Sequence, residues 1–335
     1  MKKNILFSRS RMAWIVGAAA LLLCAGVVWS YWPSSRKQME RSVAFVEYKC
    51  FYRVSVNGLP VLYFNKLDSD STLVGVHLSP REASVTGYTA GCWIHRFSLF
   101  PSCYGRIVAA IPSMSSKATM QMVEKNFVSI IMKNKALVQE QLKDLTKESA
   151  EMKYYLRVHS VQDEGYNFIS AYAQKLYAGR DSAAKVLEVM NKVDSVKHVQ
   201  VAFVKDFTVV YRDKNCKQQR THCHVDKRAK IQGLVVLQTD DGSTPPGVVA
   251  QHFRHLLPWP AGKGSQIFAA GIIGLHEDGF DMLHANGRIT PGVLAGRLGR
   301  TAAHNVPAIL SQSGAPVFSE NGFFLGINLN GKVVR

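Results

Sequence analysis

The chain has 335 residues, of which 47% are hydrophobic and 19% charged, and its formal net charge at pH 7 is +17. This apolar content is enough for a real core and excludes a wholly disordered or low-complexity chain. Six cysteines in this length exclude a small scaffold held together by disulfides. The positive charge predicts attraction to anionic surfaces but does not name a partner.

The N-terminal segment predicts a membrane anchor. Residues 12–32 are uncharged and almost wholly apolar, which is long enough to cross a hydrocarbon core of about 30 Å. Trp14 near one end and Trp32 at the other are typical of interfacial aromatic belts. We expect residues 1–11 to be a cytoplasmic tail, 12–32 to be a signal-anchor in the inner membrane, and the bulk of the chain to be periplasmic. A cleaved signal peptide is the alternative.

After the anchor the sequence alternates between β-rich and helical texture. Asn57-Gly58 lies between two alternating apolar runs and predicts a two-residue β-hairpin turn. A run of Thr-Pro-Pro-Gly at 244–247 marks a later boundary, because Pro and Gly interrupt regular elements. The predicted order is a polar linker over 33–45, β-rich segments over 46–114, 196–246 and 247–335, and a helical block over 115–195.

The block over 115–195 is nearly free of Gly and Pro. Apolar positions within it recur at alternating spacings of four and three, which predicts a coiled-coil-like seam of about three heptads. We expect Gly179 to end one helix and Asp181 to cap the next. Two interpretations stay open: an insertion that packs on its own domain, or an arm for self-association or partner docking. The seam consists of Val138, Leu142, Leu145, Ser149, Met152, Leu156 and His159.

A basic stretch also carries metal-ligand side chains. Cys216, His222, Cys223 and His224 are close in sequence, but their spacing matches no established zinc pattern. We favour a local disulfide or simple thiols and predict no metal and no cofactor.

The basic residues of the same stretch suit a solvated face or a patch for anionic lipids, acidic glycans or an acidic protein. Because there is no nucleic-acid motif, we expect no nucleic-acid partner. The basic residues are Lys214, Lys217, Arg220, Lys227, Arg228 and Lys230.

One motif near the C-terminus carries a family resemblance. Residues 311–316 read Ser-Gln-Ser-Gly-Ala-Pro, and residues 325–328 read Leu-Gly-Ile-Asn. This resembles the nucleophile region of trypsin-like serine peptidases of the HtrA-type branch, where Gly-x-Ser-Gly-x-Pro precedes a strand ending in Gly-Ile-Asn. The resemblance makes Ser313 the nucleophile position. It also makes the backbone N–H groups of Ser311 and Ser313 the oxyanion hole.

Two earlier segments are similar to the same family, in the family's order. Residues 96–112 resemble the strand before the general base, and Pro112 stands at the histidine position. Residues 233–238 resemble the strand that the triad aspartate opens, with Gly233 at the aspartate position. The implied fold is mostly β: a trypsin-like double β-barrel with the helical insertion over 115–195, preceded by one transmembrane helix. The first barrel comprises 46–114 and 196–246. The second comprises 247–335, and its closure is left open because the family has one more strand.

These residues do not form a working triad. Pro112 has no titratable side chain, and Gly233 cannot orient an imidazole. The resemblance therefore implies a degenerate member that binds a peptide or protein, or acts in assembly, without hydrolysis. One alternative is an active serine endopeptidase in which Ser313 uses a non-standard base, with His95 and His304 as candidates. Another is a structural envelope protein that oligomerises through its helical arm.

Overall fold

A computed structural model describes most of the chain outside the N-terminal segment. Among the described residues no helix is both long and apolar enough to span a membrane. Most of the predicted anchor over 12–32 lies outside them, as does Pro112. The described residues are Trp14, 16–18, 20–21, 33–95, 105–111, 117–192, 198–215, 217–227, 233–252, 261–272 and 287–334.

The chain is mostly β with a helical block, as its sequence predicts, and it forms two compact units. The first unit contains residues 1–48, 87–112 and 206–335, and the second contains 49–86 and 113–205. The helical block therefore shares its unit with the segment 49–86, which the sequence analysis assigned to the first barrel.

Strands of the first large sheet close into a ring. Its order is β10-β5-β6-β9-β8-β7-β1-β2, and β5 also pairs with β1, so that six strands form a barrel. Its strands are β1 (Val43–Val56), β2 (Leu59–Phe64), β5 (Val85–His95), β6 (Arg106–Ala109), β7 (Val199–Arg212), β8 (Gln218–Val225), β9 (Val235–Thr239) and β10 (Gln251–His252). A separate pair consists of β3 (Lys66–Leu67) and β4 (Leu73–Val74).

The second large sheet has six strands in the order β12-β11-β14-β15-β16-β13. A β-bridge between Leu294 and His304 links the ends of its two edge strands. The described residues thus include a sixth strand and a closing contact, at the point that the sequence left open. These strands are β11 (Gln266–Ile272), β12 (Gly287–Val293), β13 (Thr301–Ala303), β14 (Pro316–Ser319), β15 (Phe324–Leu329) and β16 (Lys332–Val334).

Successive side chains of β14 enter two different apolar clusters of the first unit. Val317 packs into one apolar cluster with Ile267 and Leu325, all within the second sheet. The next residue, Phe318, points to the other face and packs with Cys92 of β5. A continuous core therefore joins β5 to the second sheet, and it supports the loop that carries Ser313.

The segment 33–45, expected as a linker, is structured. Residues Arg36–Arg41 form a short helix, α1, and the side-chain oxygen of Gln38 accepts a hydrogen bond from the Ser35 backbone N–H at 2.8 Å. This is half of a capping box, which starts a helix. Met39 is buried in the core beside Phe324. A single apolar side chain at the right place converts an apparently polar linker into part of the fold.

The helical block consists of a short helix followed by a long helical hairpin. In the hairpin α4 (Phe127–Val158) packs against α5 (Tyr166–Lys192). Most residues of the predicted seam are half-buried, and Ser149 is almost fully buried at 3% exposure. The sequence prediction fails at Gly179, because α5 runs through it without a break. Beyond α1, the helices are α2 (Pro80–Ala83), α3 (Lys117–Lys125), α4 (Phe127–Val158) and α5 (Tyr166–Lys192).

The second unit has its own core, in which helices cover the hairpin of β1 and β2. Tyr52 stacks on Phe64 with ring centroids 4.8 Å apart, and Ile131 and Met190 from the helices join the same cluster. The turn is the predicted one, since Asn57 and Gly58 have φ values of 51° and 81°. The hairpin needs this helical cover because a two-stranded ribbon alone is marginally stable in water.

Candidate functional site

The residue after the predicted nucleophile fixes the shape of its loop. Gly314 has a φ of 98°, a conformation that residues with a Cβ rarely adopt. A Cβ at this position would also collide with the backbone carbonyl of Ala90. The Gly314 N–H donates to the Asn328 carbonyl at 2.7 Å. Backbone geometry therefore requires the glycine at 314, whatever the serine before it does.

The hydroxyl of Ser313 is paired with Asn330 through both of its hydrogen-bonding functions. It donates to Asn330 Oδ1 at 2.9 Å and accepts from the Asn330 backbone N–H at 3.0 Å. An amide oxygen accepts a hydrogen bond but does not remove a proton at neutral pH. A serine becomes a nucleophile only when an adjacent base takes its proton. In this arrangement the Ser313 hydroxyl is part of a turn, and both contacts described for it are made with Asn330.

Asn328, the last residue of the Gly-Ile-Asn motif, organises the loop. Its side chain is 2% exposed, and Nδ2 donates to the Ser311 carbonyl at 2.6 Å. Its Oδ1 accepts from the Gly331 N–H at 3.0 Å. The backbone N–H of Ser311 itself donates to the Pro307 carbonyl at 3.1 Å. An oxyanion hole needs N–H groups that can donate to a ligand, whereas the N–H of Ser311 donates to a carbonyl of the protein itself.

His304 is connected to this loop, but not as a base. Its Nε2 lies 3.0 Å from Asn328 Oδ1, and its Nδ1 accepts from the Val306 N–H at 3.2 Å. Because Asn328 Oδ1 can only accept, the proton of the neutral ring must sit on Nε2. Burial lowers the pKa of His304, partly offset by the bond to Asn328. The one basic nitrogen is thus occupied, and the ring has no direct bond to Ser313.

Gly233, at the predicted aspartate position, lies near the same turn. A Cβ built on it would be 2.7 Å from Leu329 Cδ2, and Leu329 directly precedes the Asn330 that binds Ser313. The φ of Gly233 is 75°, which again disfavours a side chain. The Leu329 side chain therefore fills the space beside Gly233, and an aspartate at 233 would have to displace it.

Pro112, at the predicted base position, lies outside the described residues. Two residues before it, the Ala110 carbonyl is 3.0 Å from Thr89 Oγ1, and the same hydroxyl is 3.2 Å from the Ser313 carbonyl. The end of β6 and the loop of Ser313 therefore meet at Thr89. Ala110, in the segment compared with the base region, and Ser313, in the segment compared with the nucleophile region, therefore both contact Thr89.

His95, the other candidate base, lies at the end of β5 and pairs with a different histidine. Its ring centroid is 5.3 Å from that of His252, which occupies the paired position on β10. In the described part of the chain, the partner of the Ser313 hydroxyl is Asn330 and neither candidate base.

The cysteines described by the structure are buried thiols. Cys50, Cys92 and Cys223 are free, so Cys223 forms no local disulfide, while Cys216 lies outside the described residues. Burial, reinforced by Asp240 and Asp241, raises the pKa of the Cys223 thiol to about 12. Within the described residues, no group of three or more His, Cys, Asp and Glu side chains is arranged to hold a metal ion.

Sequence reasoning missed Asn330 and Thr89, which contact the hydroxyl and the carbonyl of Ser313. Asn330-Gly331 is a turn dipeptide and could have been read as a hairpin signal. The bond from Ser313 to a residue 17 positions away has no such local signal, because it depends on the pairing of β15 with β16.

Comparison with known proteins gives a distant likeness in structure. No family model matches the chain, and no curated protein matches it. The chain is similar to the crystal structure of Deg5, with 9% sequence identity, a TM-score of 0.35, and 89% of this chain and 85% of that one covered. The fold is therefore described by its topology alone: a mostly β chain with barrel sheets and a helical block.

Proposed function

We propose that this protein is a trypsin-like peptidase homologue that binds a peptide or protein segment without hydrolysing it. One observation carries the proposal: the Ser313 hydroxyl is held between the side chain and backbone of Asn330. In the described part of the chain no base contacts this hydroxyl, and the positions that resemble the two other triad members hold Pro112 and Gly233. In a well-studied triad, loss of the base lowers kcat roughly 10⁶-fold.

Binding can persist when hydrolysis is lost, because the two use different groups. In serine peptidases, binding and oxyanion contacts keep a measurable effect after the triad is removed. A peptide-binding protein on this fold therefore needs no triad. The proposal predicts saturable binding of selected peptides, and that this binding is unchanged when Ser313 is replaced by alanine.

Fluorophosphonate labelling tests the inactive state. The full chain is compared with Ser313→Ala and with an active trypsin-like peptidase, and we expect labelling of the active peptidase alone. Labelling of the chain that disappears in Ser313→Ala would contradict the proposal and favour the serine endopeptidase with a non-standard base.

A screen of the full chain against a peptide library, followed by fluorescence anisotropy, tests binding. Absence of any saturable binder would contradict the binding role.

The membrane anchor is part of the same proposal. The apolar segment 12–32 would hold the protein in the inner membrane, with residues 33–335 on the extracytoplasmic side. Alkaline carbonate extraction of membranes, with protease added to intact spheroplasts, tests this. We expect the chain to remain in the membrane and to be cleaved from outside. Extraction into the soluble fraction, or protection from external protease, would contradict the anchor or its orientation.

A second candidate function is assembly through the helical hairpin, favoured by its exposed apolar side chains. Phe168, Val161 and Tyr154 are 79%, 68% and 60% exposed, and burying such apolar surface against a partner would be favourable. The hairpin would dock a second copy of the chain. Light scattering of the full chain in detergent should then show dimers that Phe168→Ser converts to monomers, whereas Lys153→Ser, on the same hairpin, leaves the dimers intact.

A further inference from the structure

The outer face of β8 presents two histidines side by side. His222 and His224 are two positions apart on the strand, so their side chains leave the same face. Both side chains are mostly exposed, at 70% and 58%. The intervening Cys223 is buried on the opposite face. Two imidazoles of one strand therefore share a surface that a solute can reach.

The Nδ1 atom of each ring has a polar neighbour on an adjacent strand or turn. Asp240 Oδ1 is 2.9 Å from His224 Nδ1. His222 Nδ1 is 3.4 Å from Thr208 Oγ1, and Asp206 Oδ1 lies farther away at 4.0 Å. Asp240 is also tied to the strand by its own backbone N–H, which donates to the His222 carbonyl at 3.0 Å. A carboxylate can only accept, so Asp240 favours the tautomer of His224 that carries its proton on Nδ1. The lone pair of that ring is then on Nε2.

The pairing of His224 with Asp240 is the arrangement that accompanies histidine ligands in metal sites. A ligating imidazole usually donates its other N–H to a carboxylate, which fixes the tautomer and raises the basicity of the ligating nitrogen. Local charge is also favourable, because Asp206 and Asp240 lie at the rings. Arg220, two positions before His222, is within 3.6 Å of Glu47, which offsets its charge.

We propose that Nε2 of His222 and Nε2 of His224 chelate one divalent transition-metal ion of the Zn²⁺ or Cu²⁺ type, with water completing its coordination. Side chains two residues apart on a strand start about 7 Å apart, and metal–nitrogen bonds are about 2.0–2.1 Å. Chelation therefore requires the two rings to turn towards each other, and their exposure leaves room for that rotation. Imidazole ligands favour zinc and copper over magnesium or calcium. The site is independent of the Ser313 loop and of peptide binding.

Titration of the full chain with ZnCl₂ by calorimetry, and electron paramagnetic resonance of the chain with Cu²⁺, test the site. We expect one saturable site per chain and a Cu²⁺ spectrum with nitrogen coupling. His222→Gln and His224→Gln should each abolish saturable binding, whereas Asp240→Asn should weaken it roughly 10–100-fold. These residues are on the surface, so the variants should fold, which circular dichroism checks.

His159 provides the matched control. Its Nδ1 is 3.0 Å from Asp163 Oδ2 at the end of α4. His159 therefore has a carboxylate partner, as His224 does, but it is on a helix end and is not one of a pair of histidines on a strand. His159→Gln should leave metal binding unchanged. Equal affinity in the parent chain, His222→Gln and His224→Gln would overturn the proposal. A loss confined to His159→Gln would overturn it as well, as would absence of saturable binding in the parent chain.

Discussion

The loop around Ser313 and the outer face of β8 both carry side chains of the kind that perform chemistry, but their hydrogen bonds differ. Ser313 donates to and accepts from Asn330, and both nitrogens of His304 have partners in the protein. On β8, the polar contacts described for His222 and His224 are made through Nδ1, so Nε2 of each ring is the nitrogen left for a ligand.

The comparison shows that a reactive residue type is not enough for function. A hydroxyl or imidazole acts on a substrate or metal only when a lone pair remains for it. In the loop, the protein itself uses these groups to hold a tight turn. On the strand, a second group orients the ring and leaves the other nitrogen for a ligand. Three substitutions test the loop side of this contrast and a fourth tests the helical hairpin, and the loop should respond most strongly.

The largest effect is expected from Gly314→Ala. Its left-handed φ costs about 1–2 kcal/mol for a residue with a Cβ, and the collision with the Ala90 carbonyl adds overpacking. We expect the free energy of unfolding to fall by about 3 kcal/mol or more, measured by urea denaturation. Gly264→Ala is the control, since Gly264 has a similar φ of 85° but open space around it. Equal losses in the two variants would contradict the steric argument.

A smaller loss is expected from Asn328→Ala. The variant leaves the buried Ser311 carbonyl and the Gly331 N–H without this partner, at an expected cost of about 2 kcal/mol. Asn330→Gly is the comparison variant, because it removes a partly exposed side chain and tolerates the φ of 51°. It should cost about 1 kcal/mol or less. A larger loss in Asn330→Gly than in Asn328→Ala would show that Asn328 is not the organising residue.

The pH dependence of stability should report the state of His304. Burial lowers the pKa of His304 in the folded chain, so below about pH 6.5 the unfolded chain binds a proton at this residue more readily. The free energy of unfolding should therefore decrease as the pH falls through that range. His304→Gln should show a weaker decrease between pH 7.5 and 5 in urea denaturation. The same pH dependence in both chains would contradict a neutral, engaged ring.

The smallest effect is a stabilisation by Gly179→Ala. This glycine lies inside α5 with open space where a Cβ would be. Alanine in a helix interior is favoured over glycine by about 1 kcal/mol. Gly165→Ala is the control of opposite sign, because Gly165 has a φ of 81° between the two helices of the hairpin. A gain at 165 or a loss at 179 would contradict the observed helix boundaries.

Much of the candidate site could be predicted from its motif, because the motif encodes local backbone geometry. The sequence around Ser313 and Gly314 predicts a tight turn, and the structure has one with Gly314 at a φ of 98°. The role of the turn could not be predicted in the same way. The partner of Ser313 comes from the next hairpin, and the residues that shape the loop, Asn328 and Thr89, act through contacts far apart in sequence.

The fold shows the same division. Spacing between neighbours predicted the helical seam that includes Ser149 and the turn at Asn57-Gly58, because both patterns are set within a few residues. The prediction that a helix ends at Gly179 failed, because packing of α5 outweighed the unfavourable helix propensity of glycine, about 1 kcal/mol. Spacing also failed at Met39, where one apolar side chain found a place in a distant core.

By itself, the sequence determined the β and helical texture, the local turns, and the absence of a titratable side chain at Pro112 and Gly233. Only the tertiary structure decided which segments share a core, how β13 meets β12, and which groups occupy the lone pairs of Ser313, His304 and His224. The physical reason is range. Periodicity and turn preference act between neighbours along the chain, whereas hydrogen-bond partners and buried contacts are chosen when distant segments pack together.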